Sequence, residues 1–255
     1  AHIMPKLVRN FNDRTGAALR YNSEYTSAAF GTIGETDDLT SSAFTPGTIS
    51  VLTPGEIGRQ YFLTDWRMES DAFNVRADAA QDLGAGAAEK IDKDLISKFS
   101  SFTGGTVGTA GSELTWGHLF AGEAQLKTQM APFPYIFVCN SNQWQPLAKA
   151  ASVSGTATNA ADSLKEAVNS QFWVRNVGPI SIFTTANLAT ASTCHAGLFS
   201  RDALAFDLRR APRLEPERDA SRRGVELNMT AAYGYGVWRP KFGIDMVFAG
   251  TVVTS

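Results

Sequence analysis

The chain is poor in the residue types on which catalysis and covalent frameworks usually rest. Its 255 residues hold two cysteines, Cys139 and Cys194, too few for a disulfide framework or a paired CxxC metal site. Cys139 sits in the apolar run YIFVC and reads as a buried thiol. Cys194 stands beside His195, but no third partner at a catalytic spacing accompanies the pair. The three histidines are far apart and leave few general bases. No GxSxG, HExxH, P-loop or EF-hand spacing occurs, so the sequence offers no catalytic residues, no metal ligands and no cofactor site. No run approaches the ~18 uninterrupted apolar residues of a membrane-crossing helix. Arg9, Asp13, Arg14, Arg20 and Glu24 interrupt residues 1–30, which leaves no apolar core for a signal peptide and points to a cytoplasmic setting. A net charge of −2 excludes a polybasic binder.

What the chain does contain is architecture. Residues 1–30 lack sustained periodicity and read as an extended arm. From Gly31 to Ser70 the chain is rich in Gly, Thr, Ser and Pro and carries a near-repeat, FTPGTIS at 44–50 and LTPGEIG at 52–58. Each Thr-Pro-Gly is a turn signal, because Pro fixes φ and Gly supplies positive φ. RQYFLTDW reads as a strand. Short strands projecting from an arm cannot bury themselves, so this segment must lie on something else.

At Ser70 the character changes. Val75, Ala79, Leu83, Ala87, Ile91 and Leu95 recur at steps of four, and Ile96 and Phe99 widen the stripe, predicting a helix from about 72 to 99. Ser70 or Asp71 is the expected cap. Gly84 and Gly86 weaken that helix by up to ~1 kcal/mol each, and close packing on a sheet would explain them. Next come a helix in SELTWGHLFAGEAQLKTQM capped by Ser112 or Thr115, a strand PYIFVCN, a helix NSNQWQPLAKAA, a polar loop over 152–170, and strands FWVRNVG and ISIFTTAN. His118 reads as a structural histidine. This alternation over 112–206 predicts a compact α/β lobe.

Residues 201–223 hold seven of the fifteen arginines, interleaved with Asp202, Asp207, Glu215, Glu217 and Asp219. The mixed charge favours pairing with carboxylates, within the chain or on another copy, over a grip on phosphates. Pro212 and Pro216 exclude a continuous helix. In AAYGYGVWRPKFGIDMVF, residues 231–248, Ala232, Gly234 and Gly236 alternate with Tyr233, Tyr235 and Val237. This is a strand with one bulky and one bare face, the bare face letting another backbone or a helix approach closely, and it should end near Pro240.

Three segments together resemble the major capsid proteins of tailed double-stranded DNA bacteriophages, the Hong Kong 97-like fold also used by encapsulin shells. DAAQDLGAGAAEKIDKDLI is similar to the family's spine helix, SRRGVELNMTAAYGYGVWRPKFGIDMVF to its closing peripheral strand, and HAGLFSRDALAF to the link out of its axial domain. The resemblance implies an α+β chain: an N-terminal arm over 1–30, an extended β-hairpin loop over 31–70, a peripheral domain over 71–111 and 207–241, and an axial domain over 112–206 and 242–255. It implies a shell subunit that self-assembles in hexamers and pentamers around double-stranded DNA contacted non-specifically. An encapsulin-like nanocompartment, and a monomeric α/β enzyme or binding protein, are the alternatives. A scaffolding protein, a portal and a cement or decoration protein would be partners, and no membrane would be. Assembly would take place in the host bacterial cytoplasm and the product would be the virion capsid.

The resemblance also implies two inter-subunit surfaces. Glu56, Arg59, Tyr61, Phe62, Trp66, Arg67 and Glu69 belong to the loop. Arg209, Arg210, Arg213, Glu215, Glu217, Arg218, Asp219, Arg222 and Arg223 belong to a charged peripheral loop, where Arg218, Arg222 or Arg223 would meet an acid of the next copy at a quasi-threefold junction. Some relatives join loop and peripheral domain by a lysine-to-asparagine isopeptide. Here no lysine lies between Lys6 and Lys90 and no asparagine follows Asn228, so both reacting groups are missing. Mature particles boiled in detergent should therefore run as one band near 27.4 kDa; a reductant-resistant ladder would show a cross-link.

Overall fold

A computed structural model of the chain describes residues 3–11, 19–22, 31–35, 38, 49–71, 74–152 and 179–251. Two sheets meet at the C-terminal end of a long helix. The first sheet has the order β1-β9-β10-β4, from β1 (Arg9–Asn10), β4 (Gly55–Thr64), β9 (Leu204–Asp219) and β10 (Gly224–Val237). The second has the order β5-β11-β8-β6-β7, from β5 (Thr106–Val107), β6 (Tyr135–Asn140), β7 (Ile180–Thr185), β8 (Cys194–Ser200) and β11 (Gly243–Phe248). A separate hairpin joins β2 (Leu19–Asn22) to β3 (Ile49–Leu52).

The long helix α3 runs from Val75 to Ile96, ~33 Å at 1.5 Å per residue. It is shorter than the stripe suggests, because Asn74, not Ser70 or Asp71, caps it by accepting from Ala77 N at 3.2 Å. Its stripe buries Leu83, Ile91, Leu95 and Ile96 as expected. Past its end Phe99 is fully buried and lies on Gly197 of β8, where a Cβ would meet the ring at 2.8 Å. Phe99, Phe102 and Phe199 form a ring cluster with centroids 5.5 to 5.8 Å apart. The main core lies here, shared by both sheets and by Met4 and Val8 of the N-terminal segment. The other face of the five-stranded sheet is covered by α4 (Trp116–Thr128) and α5 (Ser141–Ser152). Thr115 caps α4 in a capping box with His118, whose ring packs 4.9 Å from that of Phe248.

Several expectations are corrected. RQYFLTDW is not one strand: Thr64 ends β4 and caps the short helix α2 (Asp65–Ser70), its hydroxyl accepting from Arg67 N at 3.3 Å. Gly55–Thr64 does not project; it pairs antiparallel with β10 from Thr64↔Gly224 to Gly55↔Tyr233. β2 pairs instead with β3, so part of the expected arm is half of a hairpin. The rest of the arm is docked: α1 (Met4–Leu7) lies on α3, and Asp92, fully buried, accepts from Ile3 N and Met4 N at 3.1 and 3.2 Å. The bare face of β10 does not lie along the helix. A Cβ on Gly236 would meet Leu52 at 2.8 Å and one on Gly234 would meet Pro54 at 3.3 Å, so that face carries β3 and the turn after it. The tyrosine face meets α3, with Tyr233 Oη donating to Asp94 Oδ2 at 2.6 Å and Lys98 lying 5.3 Å from the Tyr235 ring. Gly84 and Gly86 do not pack closely on a sheet, since a Cβ on either would meet open space. The first Thr-Pro-Gly, the polar loop beyond residue 152 and FWVRNVG lie outside the described residues.

Burial, then the hydrogen bond to Asp94, raises the Tyr233 pKa well above the ordinary 10.0. The folded state thus keeps a proton that the unfolded chain loses, and this contribution to stability is present below about pH 10 and falls as pH rises beyond it. The stability gap between wild type and Tyr233→Phe should shrink from pH 9 to 11.5 in urea unfolding; a constant gap would contradict the linkage.

Candidate assembly surface

The predicted charged loop is a long hairpin. Pro212 and Pro216 fall within β9, the inner β10 lies between β9 and β4, and a turn at Ala220–Arg223 closes the tip. Alternation then sorts the side chains. Leu63, Leu214, Val225, Leu227 and Met229 face α3 with Leu83, while Glu215, Glu217, Glu226 and Phe62 fall on the opposite face.

Cross-strand register decides which charges meet. Arg210, Ala232 and Glu56 stand in one row, and Arg210 pairs with Glu56. Arg218 grips Asp65 with both guanidinium nitrogens, at 2.5 and 2.8 Å. Arg222 lies 4.0 Å from the Phe62 ring centroid and donates to Glu226 at 3.1 Å, while Gln60 donates to the other Glu226 oxygen at 2.6 Å. Arg213 pairs with Glu215 at 3.1 Å. At the root, Arg209 pairs at 2.7 Å with the fully buried Asp207. Arg59 lies over Tyr61, whose hydroxyl donates to Asp82 at 2.6 Å. Asp219 accepts from Ser221 and from Arg222 N and shapes the tip.

Most of the predicted inter-subunit residues are therefore brought together inside one subunit. Trp66 is the exception in kind, 78% exposed on α2. Arg67 and Arg223 make no ion pair among the described residues, and Arg223 holds the tip in a left-handed conformation, φ 51°. Asp65, Glu226 and Asp82 are partners outside the residues expected from the sequence. The signal for Asp65 was a Thr followed by an acid, a helix start hidden in what read as a strand.

His195 Nδ1 lies 2.9 Å from Asp245 Oδ2, and burial pushes the Cys194 thiol up to about 11, away from a reactive thiolate. Cys139 is raised further by its burial. Among the described residues no group of three or more His, Cys, Asp or Glu could hold a metal, and no helix is long and apolar enough to cross a membrane.

Residues 48–245 match the family described as phage capsid protein. The match spans most of the chain, which belongs to that family. Solved structures agree on the fold. The capsid structure of the cyanophage P-SCSP1u is 14% identical, with a TM-score of 0.77 over 99% of this chain and 89% of that one. A chain from Mycobacterium phage Che8 is 16% identical, TM-score 0.72, over 91% and 85%. The capsid of a native GTA particle is 14% identical, TM-score 0.75, over 97% and 90%. No curated protein matches the chain. The fold is the Hong Kong 97-like capsid fold, and the protein is a major capsid protein that builds an icosahedral phage shell. Neither the encapsulin nor the enzyme alternative is favoured by these matches.

The hydrogen bonds from Arg218 hold the Asp65 carboxyl below its ordinary 3.8. That contribution is present above the ordinary value and lost as pH falls through the lower folded one. Asp65→Asn should speed exchange of the Asp65 amide, which donates to Arg223 O at 3.0 Å. The difference from wild type should close under acid; equal exchange at pH 6 would contradict it.

Proposed function

We propose that the hairpin tip and α2 form the contact at which peripheral parts of neighbouring copies meet around a quasi-threefold junction. The observation that carries this reading is the division of the charges. Arg218 and Arg222 are occupied stiffening the tip and Arg210 is paired nearer the root, whereas Arg67, Arg223 and Trp66 extend from that stiff frame without ion-pair or core partners among the described residues. An exposed ion pair contributes only ~0–1 kcal/mol, but repetition over every junction adds weak contacts by multivalency. Copies in this reading group as hexamers and pentamers. Scaffolding, portal and cement proteins assist them in the host cytoplasm, and the subunit performs no catalysis. Arg223→Glu should leave the subunit folded and reduce particle yield at least tenfold by sedimentation and electron microscopy. Normal particles would sink the assignment.

The packaged double-stranded DNA is held by confinement, because a chain at −2 lacks the excess cations whose binding releases counterions. Dissociated subunits should bind DNA weakly and in a salt-sensitive way; submicromolar binding at physiological salt would refute this.

A further inference from the structure

The β2–β3 hairpin has no third strand among the described residues. Such a pair is marginal alone, so its direction depends on how it is rooted. The root is a small separate core of Phe11, Leu52, Ala205 and Trp238. Leu52, 1% exposed, opposes Leu19 at the base of the hairpin and lies on the bare backbone of Gly236. Phe11 and Trp238 stand with ring centroids 4.9 Å apart. Arg9 lies 5.3 Å from the Phe11 ring and 5.9 Å from the Trp238 ring, and it bonds Asp202 at 3.2 Å.

Both aromatic residues are fixed by main-chain bonds to the body. Phe11 N donates to Phe206 O at 2.9 Å, and Trp238 N to Ala203 O at 2.7 Å. Phe11 is also the end of a segment tied down along its length. Asp92 holds Ile3 and Met4, Arg201 Nε donates to Val8 O at 3.3 Å, and β1 pairs parallel with β9. The base of the hairpin therefore sits in a socket whose walls belong to the N-terminal segment on one side and to β9 and the end of β10 on the other.

We infer that Phe11, Leu52, Ala205 and Trp238 form a socket that fixes the direction of the β2–β3 hairpin, with Arg9 clamping its two rings, and that this direction sets which part of a neighbouring copy the hairpin meets. The second half rests on the chain's role as a shell subunit. The socket residues are positioning residues: they hold the hairpin and need touch no neighbour.

Spin labels on Val51→Cys, half exposed beside the socket, and Gln81→Cys, on the exposed face of α3, report that direction, since both native cysteines are buried. The distance distribution should be narrow in the otherwise native subunit and at least twofold broader with Phe11→Ala, and Phe11→Leu should restore it. Arg9→Gln, a partly exposed position that tests the clamp if the alanine variant fails to fold, should broaden it to a lesser degree. Unchanged widths in Phe11→Ala and Arg9→Gln would overturn the socket. Broadened variants should also lose at least tenfold in particle yield; normal particles from them would overturn the link to assembly. Absence of particles from the native chain with its partners would count against the shell reading, while the label distances would still judge the socket.

Discussion

The structure depends on one close approach, the ring of Phe99 on the backbone of Gly197. The helix that stiffens the molecule belongs to the first sheet over most of its length, and only its end reaches the second. With no Cβ at position 197, that end sinks until Phe99 is fully buried between Phe102 and Phe199. Helix, both sheets and the N-terminal segment then share one core, so the two sheets are held by packing rather than by linker contacts alone. A shell subunit needs this, because a neighbour's position is only as well defined as the stiffness between the surfaces that contact it.

From that junction the molecule becomes less densely packed toward the hairpin tip. At the far end of α3 the core shrinks to Leu63, Leu83 and Leu227 with partly buried neighbours. There, polar cross-links take over from apolar burial: Tyr61 to Asp82, Arg218 to Asp65, Arg222 to Phe62 and Glu226. Each is exposed and individually weak. Together they fix a three-stranded edge that has little interior of its own. Much of the arginine density of residues 201–223 is thus explained by the needs of the subunit itself.

Much of the local structure was legible in the sequence. The step-of-four stripe located α3, Thr115 located the start of α4, and the apolar YIFVCN located a buried strand. Pro240 marked the break before β11. The misjudged positions share a cause. Thr64 carries both a strand and a helix cap, and nothing local says where the strand yields. Gly84 and Gly86 look like packing positions but face open space, because a bare residue marks the possibility of an approach and not its occurrence. The glycine face of β10 invited a close neighbour, and the neighbour is β3 instead of the helix.

The sequence by itself determined the periodicities, the caps, the breaks and the absence of catalytic spacings, because each is a property of residues within about one or two turns or strands of one another. Only the tertiary structure decided which charges pair and which segments share a sheet. Arg210 meets Glu56, and Arg218 meets Asp65, across more than 150 positions of chain, and these meetings follow from strand register. Register is set by which faces are buried against α3, a collective outcome of packing that no local pattern encodes.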